Sequence, residues 1–363
     1  MGRLSAAMLV ALCAVLLWGC GSERLAETQP ATSTEVEASA PSIGAEPEAS
    51  GAAPFRFFSP TSFWNTKPGP DAELDPRSAQ LVAAFDEEVE AELAAGRGPS
   101  ISTTSYAVPI YEVGADQPPV AVELTAPTPA PALQAAFAAV PLPPDAQASG
   151  GTDANLVVYQ PATDRLWEFW RFRRGPEGPE ASWGGAIEDV SRNPGVYGPE
   201  AWPGVKPWWG SSASSLSIAG GVISLEDLGA GVINHALALA IPDVRVGVYS
   251  LPARRADGTS ESPSSLPEGA HLRLDPNLDL STLQMPRITR LVAEAAQRYG
   301  IFVRDGAGVV HFFGQDPVSL GGPDPYAGED GYFEGRWPTE LLASFPWEHL
   351  QLLKMELRRD DDR

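Results

Sequence analysis

Thirty-six prolines and thirty-five glycines are scattered along 363 residues. Proline removes a backbone donor and interrupts helix interiors and central strands. A chain with about twice the usual proline content is therefore not built of long helices. The scatter has no Gly-X-Y period, which excludes a collagen-like rod. What remains is a set of short strands joined by turns, with a few helices packed on them.

Charge narrows the partners. Twenty-five basic residues face 47 acidic ones, a formal charge of −22. Such a surface repels phosphate backbones, so no nucleic-acid partner is expected. Nor does charge draw it to an anionic membrane. With 43% hydrophobic and 20% charged residues the chain is globular rather than wholly disordered.

The N-terminus carries a processing signal. Arg3 is followed by an uncharged apolar stretch from Ala6 to Trp18, too short to span a bilayer and suited to a signal-peptide core. It ends in Leu17-Trp18-Gly19-Cys20, which resembles a bacterial lipobox. The resemblance implies a lipoprotein signal peptide over 1–19, cleavage before Cys20 and lipidation of that cysteine. The protein is then exported and anchored at the outer face of the cell membrane or envelope, touching membrane only through its N-terminal lipid. The plainer alternative is an ordinary secretory signal. Cys13 and Cys20 are the only cysteines, so the mature chain is expected to have no disulfide-linked partner and no thiolate metal site. Residues 20–53 are rich in Ala, Ser, Pro and Glu and contain no aromatic residue. They read as an acidic, disordered tether.

Residues 54–363 read as one globular β-rich domain, a β-sandwich or jelly roll with two or three packing helices. Asp75-Pro76 opens an expected helix to about Ala95, with Leu81, Val82, Phe85, Val89 and Leu93 on one stripe. Asn155–Gln160 and Arg165–Phe172 form a hairpin around Pro161-Ala162-Thr163-Asp164. Ser224 caps a short helix. Gly231–Ile241 is expected to pair with Val244–Leu251, and Ile301–Arg304 with Val309–Phe313 around Asp305-Gly306. His271–Leu274 is a strand, Pro286–Tyr299 a helix, and the tail a helix ending in Leu350 to Leu357.

Several catalytic signatures are missing: Gly-x-Ser-x-Gly, a Walker loop, a dinucleotide fingerprint and His-Glu-x-x-His. The four histidines are dispersed, so neither a metal nor a cofactor is expected. Glu168 is the most suggestive residue. Alternation places it with Leu166, Trp170 and Phe172, opposite Trp167 and Phe169. A carboxyl among apolar groups has a raised pKa and can donate a proton. The competing reading is a structural glutamate paired with an arginine. His235, among aliphatic residues, is either an acid–base group or a satisfied core histidine. Asp153 and Asp305 stand at strand ends and can project into a cleft, although Asp305-Gly306, like Asp257-Gly258, is also a common turn pair. Trp170, Trp183, Trp208 and Trp209, with Asn155 and Arg273, are candidates for binding substrate. Loop tryptophans either plug a sandwich or offer platforms to sugar rings. The Gly210–Ser215 run either donates amides to a ligand or is a flexible loop.

Phe58-Ser59-Pro60-x-Ser62-x-Trp64-Asn65, Asp153-Ala154-Asn155, Leu166-Trp167-Glu168-Phe169-Trp170, Trp183-Gly184-Gly185 and Asn234-His235-Ala236-Leu237 resemble, in that order, a family of secreted bacterial proteins frequent in actinobacteria. The resemblance covers about 55–355 and implies a unitary exported domain. The family pattern often has His where this chain has Asn155. Two functions follow as expectations. One is a cell-surface polysaccharide hydrolase or lyase using Glu168 as acid, with Asp153, Asp305 or His235 as partner. The other is a non-catalytic glycan-binding or structural envelope lipoprotein.

Overall fold

Ala236, Ala238 and Ala240 face one hydrophobic core, while Leu237, Leu239 and Ile241 face another. A strand alternates its side chains with period two, so this segment must separate two apolar layers. The computed structural model describes residues 55–127 and 130–360. The expected signal peptide, Cys20 and the 20–53 tether lie outside the described residues.

Helix α1 (Ser78–Ala95) is followed by β1 (Ser100–Ser102), β2 (Ile110–Glu112), β3 (Glu123–Leu124) and α2 (Pro131–Ala136). Next come β4 (Leu156–Gln160), β5 (Arg165–Trp170), β6 (Arg173–Gly175), β7 (Gly178–Ala181) and β8 (Trp183–Ile187). The second half holds α3 (Leu225–Ala230), β9 (Leu237–Ile241), β10 (Val248–Ser250), β11 (His271–Leu274) and α4 (Arg287–Arg298). It ends with β12 (Ile301–Gly306), β13 (His311–Phe313), α5 (Pro338–Leu341), β14 (Leu350–Leu352) and β15 (Leu357–Arg359).

The fold is mostly β. A six-stranded mixed sheet runs β1-β13-β9-β12-β11-β14, and a four-stranded sheet runs β2-β4-β5-β8. One face of the larger sheet, with Ala238, Phe302 and Phe313, shares a core with Val157, Trp167 and Phe169 of the smaller. Its other face packs on α1 and α4 through Leu237, Val303, Phe85 and Val292. Helix α1 buries Leu81, Val82, Phe85 and Val89, as its stripe predicts, and stops at left-handed Gly96. The β4–β5 hairpin forms at the expected turn. Ser224 and Asp227 close a capping box at the start of α3.

Two expected pairings and one expected helix are corrected. β9 does not pair with β10; it lies between β12, which runs parallel to it, and β13, which is antiparallel. For the same reason β12 and β13 do not form a hairpin with each other. β10 instead pairs with β15. The tail's expected helix over Leu350 to Leu357 is replaced by β14, which extends the sheet beyond β11, and by β15.

Candidate functional site

Three carboxylates converge on one cleft of about 480 Å³, those of Asp153, Asp257 and Asp305, beside Trp170, Trp183 and Arg255. Each comes from a different part of the chain. Asp153 precedes β4; its backbone carbonyl accepts from Arg171 N, and its Oδ1 accepts from the Trp170 indole at 3.1 Å. The Arg171 guanidinium lies over that ring, 4.2 Å from its centroid. Asp305 follows a register shift in β12 between Val303 and Asp305. Such a bulge re-aims a side chain at a sheet edge.

Asp305 is only partly buried, yet burial is the main force raising its pKa, to about 7. Asp257 and Asp153 add to the rise, while Arg304 opposes it. Behind the cleft the fully buried Glu268 is pushed up to about 8, again mainly by burial and then by Asp257 and Asp305. The site therefore holds protons at neutrality that ordinary carboxyls would have lost.

The fourth wall is Gly210 to Ala213. Arg255 holds it from the cleft side, with Nη2 donating to the carbonyls of Ser212 (2.6 Å) and Gly210 (3.3 Å). Glu168 holds it from behind. Its Oε1 accepts from Ser211 N at 2.7 Å; its Oε2 accepts from Ser217 Oγ at 2.7 Å and from Ile218 N at 2.9 Å. Gly210 has a φ of +106°, and a Cβ there would lie 2.6 Å from the Tyr197 ring, so the chain passes this point only as glycine. Two amides of the serine-rich run are thus spent on the protein's own carboxylates, Ser211 N on Glu168 and Ala213 N on Asp305.

Glu168, expected as the acid of a substrate cleft, does not open onto this one. The loop from Ser211 to Ile218 covers it, and its side chain has no exposure. Burial does raise its pKa, with the hydrogen bonds from Ser211, Ser217 and Ile218 opposing the rise. The buried arginine on this side of the core is Arg304. Arg273 instead ties the carbonyls of Gly69 and Pro70 to β14 through Gln351, away from the cleft lining.

Of the expected binding tryptophans, Trp170 and Trp183 line the cleft. Trp209 is a core residue, and Trp208, 39% exposed, lies outside the lining. Asn155 is buried, and its backbone N–H donates to Ser149 Oγ at 3.1 Å.

His235 belongs to a second cavity, of about 330 Å³, which Asp153, Asp257 and Asp305 do not line. Its Nε2 lies 3.1 Å from Asp227 Oδ2 and its Nδ1 lies 2.8 Å from the Ala236 carbonyl. Burial works against its charge, but Asp227 and the Ala236 carbonyl outweigh burial, and the net pKa is raised.

The sequence reading missed Asp257, Arg255 and Glu268. The first two lie in a polar loop with no periodicity, and Asp257-Gly258 looks like any turn. Only the fold brings that loop to the end of β12. Among the described residues no cluster of His, Cys, Asp and Glu is arranged to hold a metal ion, and no helix is long and apolar enough to cross a membrane. Comparison of the chain with family models, with curated proteins and with solved structures finds no match.

Proposed function

We propose that this chain is an exported, lipid-anchored envelope protein that hydrolyses a glycan in the Asp153–Asp257–Asp305 cleft, with Asp305 rather than Glu168 as the acid. The observation that carries the reading is a partly exposed carboxyl poised near pH 7, in a cleft with two further carboxylates and two tryptophans. Protonated Asp305 donates its proton to the glycosidic oxygen as the bond from that oxygen to the anomeric carbon breaks. Asp153, oriented by the Trp170 indole, takes a proton from the water that attacks the anomeric carbon. Trp170 and Trp183 offer faces to the sugar rings, and the buried Ser211 hydroxyl and Trp183 indole N–H have no partner in the protein. Glu168 acts as a positioning residue, fixing the loop that forms the cleft wall.

The test is a polysaccharide panel with product analysis, comparing the wild type with Asp305→Asn and Asp153→Asn. The expected result is a cleaved glycan whose cleavage both variants lose while each still unfolds cooperatively. Cleavage that survives both substitutions overturns the assignment. Binding without cleavage by any variant, wild type included, decides for a non-catalytic glycan-binding lipoprotein. Anchoring is tested separately. Cys20→Ser is expected to move the protein from the detergent phase to the aqueous phase, and a wild type already in the aqueous phase overturns the lipobox reading.

A further inference from the structure

The loop that forms the cleft wall continues from Ala219 to Val222 into the lining of the second cavity, the one that holds His235. That cavity is mostly apolar. Phe57, Phe58, Trp64, Ile110, Tyr159 and Leu320 supply much of its wall. Two of its lining residues carry buried acceptors that no protein donor reaches, Asp227 Oδ1 and Asn65 Oδ1. Both residues are more than nine-tenths buried. The other polar atoms of these groups are fully used. Asn65 Nδ2 donates to the carbonyls of Phe57, Phe58 and Ser59, and Asp227 Oδ2 accepts from Ser224 and His235. Unmet acceptors inside an apolar wall are costly, and a ligand that donates to them recovers that cost.

The charges at the site select among donors. Both ring nitrogens of His235 face acceptors, a carboxylate and a carbonyl, so only the imidazolium satisfies both. Asp227 is therefore already balanced, and Arg56 lies close by, its Nη1 on the Asn234 carbonyl at 3.1 Å. A cationic ligand meets His235 and Arg56; an anionic one meets Asp227. Glu112 and Glu226 also line the cavity, but both are exposed residues whose charges water screens. From this geometry we infer a second ligand site, independent of the glycan cleft, that takes a small uncharged aromatic or alicyclic alcohol of about two rings. The hydroxyl donates to Asp227 Oδ1 or Asn65 Oδ1, and the rings pack among Phe57, Trp64 and Tyr159. A volume of about 330 Å³ is enough for such a molecule.

The probes are 2-naphthol, 2-methoxynaphthalene and 2-naphthylmethylamine, titrated calorimetrically into the full chain. The expected result is 2-naphthol binding about tenfold or more tightly than its methyl ether, the ratio expected for one buried acceptor left unmet. The ammonium is expected to bind more weakly still. Ile110→Trp fills the cavity from the half-buried edge strand β2 and should weaken 2-naphthol about tenfold. Leu320→Trp, at an exposed position on the rim, repeats the test without touching the core. Equal affinities for naphthol and ether, a preference for the ammonium, no binding of any probe, or binding unaffected by both variants each overturns the inference. Loss of glycan cleavage in the Asp305 variant leaves these affinities unchanged, so the two readings fail separately.

Discussion

Glu168 and Arg304 grip opposite ends of one residue. The Ile218 amide donates to Glu168 Oε2 at 2.9 Å, and the Ile218 carbonyl accepts from Arg304 Nη1 at 2.9 Å. The two side chains come from different sheets, β5 and β12, and meet at a loop held between them. Arg304 also takes the Gly220 carbonyl, and its guanidinium lies over Phe313 at 3.6 Å. Burial lowers its pKa to about 10, with Asp305 and Glu168 partly restoring it, so it stays charged at neutrality.

Glu168→Gln should therefore destabilise the fold. Each carboxylate oxygen accepts from a backbone N–H, Ser211 on one side and Ile218 on the other. A glutamine must point its NH₂ at one of these donors in either flip. The unmet group costs about 2–3 kcal/mol. Urea unfolding checks the loss. A double-mutant cycle with Arg304→Met should give a non-zero coupling energy, because both residues hold Ile218. A stability equal to wild type would mean that the loop is held by other contacts.

The Trp183-Gly184-Gly185 element is a packing requirement. A Cβ on Gly184 would run into the Glu168 carbonyl and the Phe137 ring; on Gly185 it would run into the Tyr197 ring. Gly184→Ala meets backbone that cannot yield, since β8 pairs with β5 at this point. It should cost about 3 kcal/mol or more, or prevent folding altogether. Gly185→Ala is expected to be milder because a side chain can shift. Melting temperatures of the two variants check the order.

Sequence-local features were legible. The α1 stripe, the β4–β5 turn and the Ser224 cap are each written within one or two helical turns or one hairpin, where periodicity and turn chemistry act. What was not legible depends on residues far apart in the chain. Nothing near Ile301 says that β9, some sixty positions earlier, inserts between it and β13. The same holds for Glu168. Alternation sets it opposite Phe169, but Phe172, grouped with it, packs on Phe169 beyond the strand end, and the Ser211–Ile218 loop that covers Glu168 lies more than forty residues away. Asp153 and Asp305 were singled out by their positions at strand ends, whereas Asp257 and Arg255 enter the cleft on an aperiodic loop.

Stability should fall as pH rises from 6.5 to about 8. Asp305 and Glu268 have folded pKa values raised to about 7 and about 8, and Glu88 is raised to about 7, in each case chiefly by burial. In this window the native state holds protons that the unfolded chain has released, so raising the pH favours unfolding. His271 and His311 act in the opposite sense. Burial lowers both to about 4, so their effect lies between that value and the 6.5 of an unfolded histidine and is spent at higher pH. The melting temperature measured across this window at constant ionic strength should decline. A rise would contradict the assigned proton inventory.

The same proton on Asp305 sets the direction of the activity profile. An acid catalyst must carry its proton before the glycosidic bond breaks, so kcat/KM should decline above pH 7 along a limb with an inflection near that value. Burial contributes most to the shift, and the neighbouring carboxylates add to it. Asp257→Asn removes one of those negative charges while leaving Asp305 in place. The alkaline limb should then move to lower pH, because the ionised form of Asp305 is no longer opposed by that neighbour. Glu168→Gln, which only holds the loop, should lower the rate without moving the limb. The decisive measurement is the pH dependence of kcat/KM for the three proteins on one soluble substrate. A limb that stays fixed in Asp257→Asn but disappears in Glu168→Gln would transfer the acid role to Glu168.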